Sequence, residues 1–191
     1  MTARTHDAFA FASLVTVTTY YPPSYLNLFT LFSALVGNVI GGLAPDIDQA
    51  SNRLWDLLPA GNFIGRLLRP IFLGHRTLSH SIVGLYLYYK LLELLLPKIL
   101  NPGFVDINIV LWAMMIGFIS HLLTDSLTEE GVPLLFPLKF KFGFPPISSW
   151  RIKTGGWFEN LVILPGVAIY LVWFVINHKE RLVKIVELVR G

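Results

Sequence analysis

Five apolar stretches divide the chain, and polar or proline-containing segments separate them. They cover residues 8–20, 25–44, 78–96, 107–127 and 161–176. Apolar runs of this length are typical of helices rather than of buried strands, and residues 25–44 are long enough to cross a bilayer. Pro22-Pro23 is expected to make a tight hairpin, and the third stretch is expected to end at Pro97, Asn101, Pro102 and Gly103.

The pattern therefore predicts an all-α fold, a polytopic membrane bundle of about four to five membrane-embedded helices in a single domain over residues 1–191. Composition agrees, because 54% of the residues are hydrophobic and only 14% are charged, against about 25% charged in soluble domains. The chain has no cysteine. A bound metal must therefore take nitrogen and oxygen ligands, which favours zinc, manganese, iron or magnesium.

If the helices run up and down in turn, the residues with metal-binding chemistry meet on one side of the membrane. His6 begins the first helix, Asp46 and Asp48 end the second, and Glu159 begins the fifth. The third helix is preceded or begun by His75 and His80, and the fourth carries His121 and Asp125 near its end. The segment order alone predicts this convergence.

Basic residues indicate which side this is. Nine of the fifteen lysines and arginines fall on the side of the predicted site: Arg4, Arg53, Arg66, Arg69, Arg76, Lys139, Lys141, Arg151 and Lys153. By the positive-inside rule this side of the membrane faces the cytoplasm. The basic tail after residue 178 would then lie outside, so either the first or the fifth helix is expected not to cross fully. The basic residues do not cluster with aromatic ones as a nucleic-acid surface would, so no nucleic-acid partner is expected.

His121 and Asp125 are four residues apart and share one helix face. They can bind one metal ion, or Asp125 can bridge two; the alternative is a histidine packed beside a capping carboxylate. Asp46 and Asp48 would point the same way in an extended chain. Two close carboxylates repel each other unless a cation neutralises them, and the alternative for either one is an Asx turn.

The segment from His75 to Ser81 combines a loop histidine, His75, with His80 in the expected first turn of a helix. Arg76 can hold a phosphate or carboxylate through its planar guanidinium, while Ser79 and Ser81 are expected to cap the helix. His6 alone is uninformative, and His178 has no evident partner in the sequence.

The basic, glycine-containing segment 150–159 leads into the fifth helix. Amide groups at such a helix start can bind an anion. Glu159 would be a further ligand or a general base, or simply an acidic residue favoured by the helix dipole.

These motifs resemble the YdjM-like family of inner-membrane metal-dependent hydrolases. The resemblance rests on Thr5-His6, on residues 42–48, on Gly74-His75-Arg76 with His80-Ser81, and on residues 120–125 with Thr128, Gly131-Val132 and Pro137. The family looks distantly similar to zinc phospholipase C and related nucleases, which are all-helical phosphodiesterases. The resemblance implies a ligand order of His6, Asp46 or Asp48, His75 or His80, then His121 with Asp125, and Glu159 as a further candidate.

Those enzymes have two more histidines after the His-x-x-x-Asp element, whereas only His178 follows Asp125 here. One or two divalent ions, zinc first, are therefore expected instead of three. The resemblance implies hydrolysis of a phosphoester, with a phospholipid headgroup as one candidate substrate. Asp46, Asp48 or Glu159 would be the base, and Arg76 or Arg151 would hold the anionic substrate. The alternatives are a non-catalytic metal-binding transporter or sensor, for which Asn38 and Gly41-Gly42 would be mid-membrane polar and breaking positions, and a purely structural membrane protein.

Overall fold

The computed structural model of the protein describes residues 1–48, 77–138 and 140–190. Its helices are, in chain order, α1 (Ala3–Tyr20), α2 (Leu28–Leu43), α3 (Ile82–Ile99), α4 (Ile107–Ser126), α5 (Leu164–Asn177) and α6 (Lys179–Arg190). A 3-10 helix, Ala44–Asp48, extends α2, and a π-helical turn, Glu159–Ile163, leads into α5. In these parts of the chain, strand-like pairing is limited to two isolated bridges. The predicted all-α fold is therefore confirmed.

The centre of the bundle is the close crossing of α2 and α4. A Cβ atom added at Gly41 would lie 2.0 Å from the Met114 carbonyl oxygen, and one added at Gly117 would lie 2.2 Å from the Asn38 carbonyl oxygen. Only glycine allows two helix backbones to approach this closely. The buried Asn38 amide donates to the Ala113 carbonyl at 3.0 Å. Asn38 and Gly41 therefore pack α2 against α4, and α2 is continuous through both residues.

Three segments of the described chain are long and apolar enough to cross a membrane: Leu28–Ile47, Ile107–Ser126 and Glu159–Asn177. The first two are at least half buried inside the bundle, whereas the third is mostly exposed at its periphery. An exposed apolar helix at the edge of such a bundle faces lipid. The protein is therefore a helical membrane protein, as predicted.

The helix ends alternate as the segment order predicts. At one end of the bundle, the start of α1 meets the end of α4, because His6 Nδ1 lies 2.8 Å from Thr124 Oγ1. At the other end, Tyr20 of α1 lies 3.1 Å from His178 after α5, and the Asp106 amide before α4 donates to Thr30 of α2 at 2.9 Å.

Three local predictions need correction. Pro97 does not end α3 but lies in its last turn, which closes through a 2.8 Å hydrogen bond from the Leu100 amide to the Leu96 carbonyl and does not need the amide that proline lacks. Asp46 and Asp48 lie on a 3-10 helix and not on extended chain, so their backbone does not turn them to one side. His80 lies in the turn before Ser81, which caps α3 by accepting from the Gly84 amide at 3.0 Å.

Candidate metal centre

Four side chains that can bind a metal converge at one end of the bundle. Each of Asp46, His80, His121 and Asp125 offers one ligand atom, and these four atoms lie within 4.8 Å of one another. Three separate segments supply them: the 3-10 helix after α2, the turn before α3, and the last turns of α4. The convergence predicted from segment order is therefore present for these residues.

In this group, each of the two imidazole nitrogens lies close to one oxygen of each of the two carboxylates. His80 Nε2 lies 3.4 Å from Asp46 Oδ1 and 3.6 Å from Asp125 Oδ2. His121 Nε2 lies 3.6 Å from each of the same two oxygens. Tetrahedral zinc with bonds of about 2.0–2.1 Å places its ligand atoms about 3.3–3.4 Å apart. These four nitrogen–oxygen distances are thus within a few tenths of an ångström of those in a zinc ligand shell.

Several polar atoms in this group and in the neighbouring His6 are buried without a hydrogen bond. Nε2 of His6, Nε2 of His121 and Oδ1 of Asp46 make none with the residues that the structure describes. Buried polar atoms are nearly always paired, and an imidazole nitrogen and a carboxylate oxygen both bind divalent ions. The residues therefore fit a metal ion.

The opposite ring nitrogen of His121 is held by the backbone. Its Nδ1 lies 2.6 Å from the Gly42 carbonyl oxygen, which can only accept. The proton must therefore sit on Nδ1, so that Nε2 presents its lone pair to the carboxylates. Such outer contacts fix the tautomer and orientation of metal-binding histidines.

Hydroxyl groups play the same part for the other two histidines. Thr124 Oγ1 lies within 3.0 Å of two carbonyl oxygens of its own helix, to which it donates, so it accepts from His6 Nδ1 at 2.8 Å. Ser79 Oγ lies 3.0 Å from His80 Nδ1. Ser79 therefore contacts the candidate ligand, in contrast to the capping role expected for it.

Asp125 faces two different sets of groups with its two oxygens. Oδ2 faces His80 and His121, whereas Oδ1 lies 3.2 Å from His6 Nε2 and contacts the Met1 amino group. The His6 ring stacks on the His121 ring, with centroids 3.7 Å apart and an interplanar angle of 8°. Asp125 thus lies between His6 on one side and His80 and His121 on the other.

Burial differs across the group. The side chains of His80, His121 and Asp125 are at most 1% exposed, whereas that of Asp46 is 25% exposed. Asp46 lies in the 3-10 helix that ends at Asp48, and residues 49–76 lie outside the described chain. Of these four residues, Asp46 is therefore the one that solvent or a substrate can reach.

Two histidines near the carboxylates respond to them differently. Burial, helped by the neighbouring His121, lowers the pKa of His6 to about 4, which keeps His6 neutral as a ligand must be. Burial also opposes a charge on His80, but its contacts with Asp125 and Asp46 outweigh burial and raise its pKa. The paired carboxylates thus create a strong demand for positive charge at this position.

Glu159 is fully buried beside the start of α1. Its Oε1 accepts from the Thr2 amide (2.7 Å), the Thr2 hydroxyl (2.8 Å) and the Thr5 hydroxyl (2.6 Å), and its Oε2 accepts from the Gly155 amide (2.7 Å). Four hydrogen bonds occupy both oxygens and fasten the N-terminal end of α1 to α5. Its predicted role as a base stays a prediction, and these bonds give it a positioning role.

Arg151 also has structural partners. Its guanidinium donates to the Pro145 and Pro146 carbonyls at 2.6 and 2.8 Å, which holds the loop after α4. Its predicted anion-binding role stays a prediction. His75, Arg76 and the side chain of Asp48 were also predicted site residues, and they lie outside the described part of the chain.

The outer partners of the histidines could not be predicted from the sequence motifs. Gly42 acts through its carbonyl, which every residue has, and Thr124 and Ser79 have no distinguishing pattern. Thr124 and Ser79 each stand directly before a candidate ligand in the sequence, Asp125 and His80, and this was the one signal that pointed to them. His178, for which the sequence offered no metal-binding partner, lies 3.1 Å from the Tyr20 hydroxyl and 3.0 Å from the Phe174 carbonyl and packs at the other end of the bundle.

Comparison with known proteins adds a family. Residues 1–186 match the family described as YdjM inner membrane protein. The chain is 28% identical to the uncharacterized protein YvsG of Bacillus subtilis (strain 168) over 164 residues, which are 85% of this chain and 88% of that protein. It is 30% identical to inner membrane protein YdjM of Escherichia coli (strain K12) over 131 residues, 69% of this chain and 61% of that protein. No solved structure matches the chain.

Proposed function

We propose that this chain, which belongs to the YdjM family of inner membrane proteins, is a membrane-bound metal-dependent hydrolase of a phosphoester, with its site at the cytoplasmic face. The observation that carries the proposal is the group of Asp46, His80, His121 and Asp125, in which both imidazole Nε2 atoms lie 3.4–3.6 Å from an oxygen of each aspartate. Zinc is the proposed ion because imidazole and carboxylate ligands in this number suit it.

The chain's own residues would divide the work. A divalent ion supplies Lewis acidity, which polarises a phosphoester and makes water more acidic. His80, His121 and Asp125 would hold the ion, and His6, which lies against Asp125, would help to hold a second one. Asp46, at the exposed edge, leaves room for water and substrate. Because hydrogen bonds occupy Glu159, the base falls first to Asp46 or Asp48 and only then to Glu159.

One observation favours a second candidate, a non-catalytic metal-binding protein such as a sensor or transporter. Four protein ligands close a tetrahedral shell, whereas catalytic zinc keeps one position open. The transporter form of this alternative is weakened by Asn38 and Gly41, because both pack α2 against α4 within an unbroken helix.

The test measures phosphoester turnover by the purified full-length chain, loaded with zinc and reconstituted in phospholipid vesicles. Substrates are bis(p-nitrophenyl) phosphate, a nucleotide and the vesicle phospholipid. We expect turnover by wild type and a loss of at least about 10²-fold in Asp125→Asn. The matched control is Asp106→Asn at the opposite end of α4, where asparagine still caps the helix, and it should retain full turnover.

Two outcomes would overturn the proposal. If metal-loaded wild type hydrolyses none of the three substrates, the hydrolase is wrong and the sensor or transporter takes its place. If Asp125→Asn and Asp106→Asn are equally active, catalysis does not use this group of residues.

A further inference from the structure

The loop between α4 and α5 exposes an unusual number of large apolar side chains. Those of Leu138, Phe140, Phe144, Ile147, Trp150 and Trp157 are each 49–72% exposed. We call these six residues the aromatic loop surface. Soluble surfaces seldom present so many large apolar groups close together in the chain, and where they do, something other than water covers them.

The surface is held by a defined backbone framework. Val132 and Phe142 exchange two backbone hydrogen bonds of 2.8 and 2.7 Å, and the Arg151 guanidinium fixes the Pro145 and Pro146 carbonyls. Gly131 has a φ of 64°, and a Cβ there would lie 2.6 Å from the Phe142 carbonyl oxygen. The loop therefore presents its apolar side chains from a fixed frame.

This frame is attached at the metal-centre end of the bundle. The Phe144 amide donates to the Ser126 carbonyl at 2.9 Å, and Ser126 directly follows Asp125. The Ile82 amide, at the start of α3, donates to the Leu134 carbonyl at 3.0 Å. The loop that carries the aromatic loop surface is thus attached to the membrane-crossing bundle at the end where His80 and Asp125 lie.

Its composition fits one environment. Tryptophan is enriched where a membrane meets water, and segments that lie in this interface combine Trp, Phe and Leu with basic residues. Exposed Lys141 and Lys153 lie among the apolar residues of this surface. We propose that the aromatic loop surface is embedded in the headgroup region of the phospholipid bilayer and holds the metal centre at that depth. This placement is independent of whether the site is catalytic.

The absence of cysteine from the chain allows a direct measurement of depth. Single cysteines replace Phe144, Trp150 or Trp157 in the full-length chain, carry a nitroxide label, and are reconstituted in phosphatidylcholine–phosphatidylglycerol vesicles. Collision with oxygen, which concentrates in lipid, is compared with collision with a water-soluble nickel chelate. The matched controls are exposed polar residues of the same loop, Glu130 and Thr154.

We expect labels at 144, 150 and 157 to collide several-fold more with oxygen, relative to nickel, than labels at 130 and 154. Equal accessibility to nickel at all five positions would place the surface in water and overturn the proposal. Protection from both reagents would mean that protein, such as a second copy of the chain, covers it, which also overturns the proposal. If labelling disturbs one position, the intrinsic fluorescence of a Trp150-only variant, quenched by brominated lipid or by aqueous iodide, gives the same decision.

Discussion

His121 and His178 lie near opposite ends of the bundle and have similar local surroundings. Each presents its Nδ1 to a backbone carbonyl, of Gly42 at 2.6 Å and of Phe174 at 3.0 Å, and each stacks on a neighbouring ring. They differ at Nε2. In His121 it faces two carboxylates at 3.6 Å, whereas in His178 it lies 3.1 Å from the Tyr20 hydroxyl. The group opposite the second nitrogen thus separates a candidate ligand from a packed histidine.

The largest difference between the two histidines is expected when each imidazole ring is removed by substitution with alanine. His121→Ala should lose most of the bound zinc, because the ion loses one of its four protein ligand atoms. His178→Ala, the matched control, should keep the wild-type zinc content. Elemental analysis of the purified proteins measures both, and equal zinc content in the two variants would contradict the assignment.

A second test moves the helices that carry the ligands. Gly41→Ala places a Cβ 2.0 Å from the Met114 carbonyl oxygen, so α2 and α4 must separate, at a cost of about 1–3 kcal/mol. Because Asp46 follows α2 and His121 lies on α4, zinc content should fall together with the melting temperature. Gly166→Ala is the control, since nothing lies within 4 Å of its added Cβ, and unchanged zinc in Gly41→Ala would show that the site tolerates the shift.

A third test leaves every ligand in place. Thr124→Val keeps the shape of the side chain but removes the acceptor for His6 Nδ1, and should weaken zinc binding by roughly 10–100-fold, the usual effect of losing an outer partner. Thr19→Val is the control, because Thr19 is equally buried and bonds only its own helix at Val15. Zinc titration by calorimetry compares the two, and matching affinities would remove His6 from the binding site.

The smallest effect on stability is expected at the end of the bundle opposite to the metal centre, where Tyr20 contacts His178. Tyr20→Phe removes the hydroxyl that contacts His178, and should lower stability by no more than about 1 kcal/mol, the net value of one hydrogen bond. Zinc content should be unchanged. A thermal unfolding assay with parallel elemental analysis checks both, and any loss of zinc would mean that the two ends are coupled.

The sequence predicted the features that depend on order and periodicity. Apolar runs located the helices, and their alternation brought His6, Asp46, His80 and Asp125 to one end. The four-residue spacing placed His121 and Asp125 on one face. These predictions were possible because the spacing of two residues in a helix determines which face each residue lies on.

The remaining features depend on groups that carry no sequence signal. The Gly42 carbonyl could be identified only after α2 and α4 were seen to cross at Gly41 and Gly117. The hydrogen bonds of Glu159 could not be predicted because Thr2 and Thr5 are remote in the chain and the Gly155 amide is brought close only by local folding. The contacts of Arg151 could not be predicted because its partners are backbone carbonyls, which every residue has.

The ligand candidates have a consequence for assembly of the protein itself. His6, Asp46, His80 and His121 are separated by roughly 35–40 residues of chain each, so no local segment can bind the ion well, and closing each loop has an entropic cost. An ion that binds only the folded state stabilises it in proportion to RT ln(1 + [ion]/Kd). The concentration of free zinc would then determine what fraction of the protein is folded in the membrane, whether or not the site is catalytic.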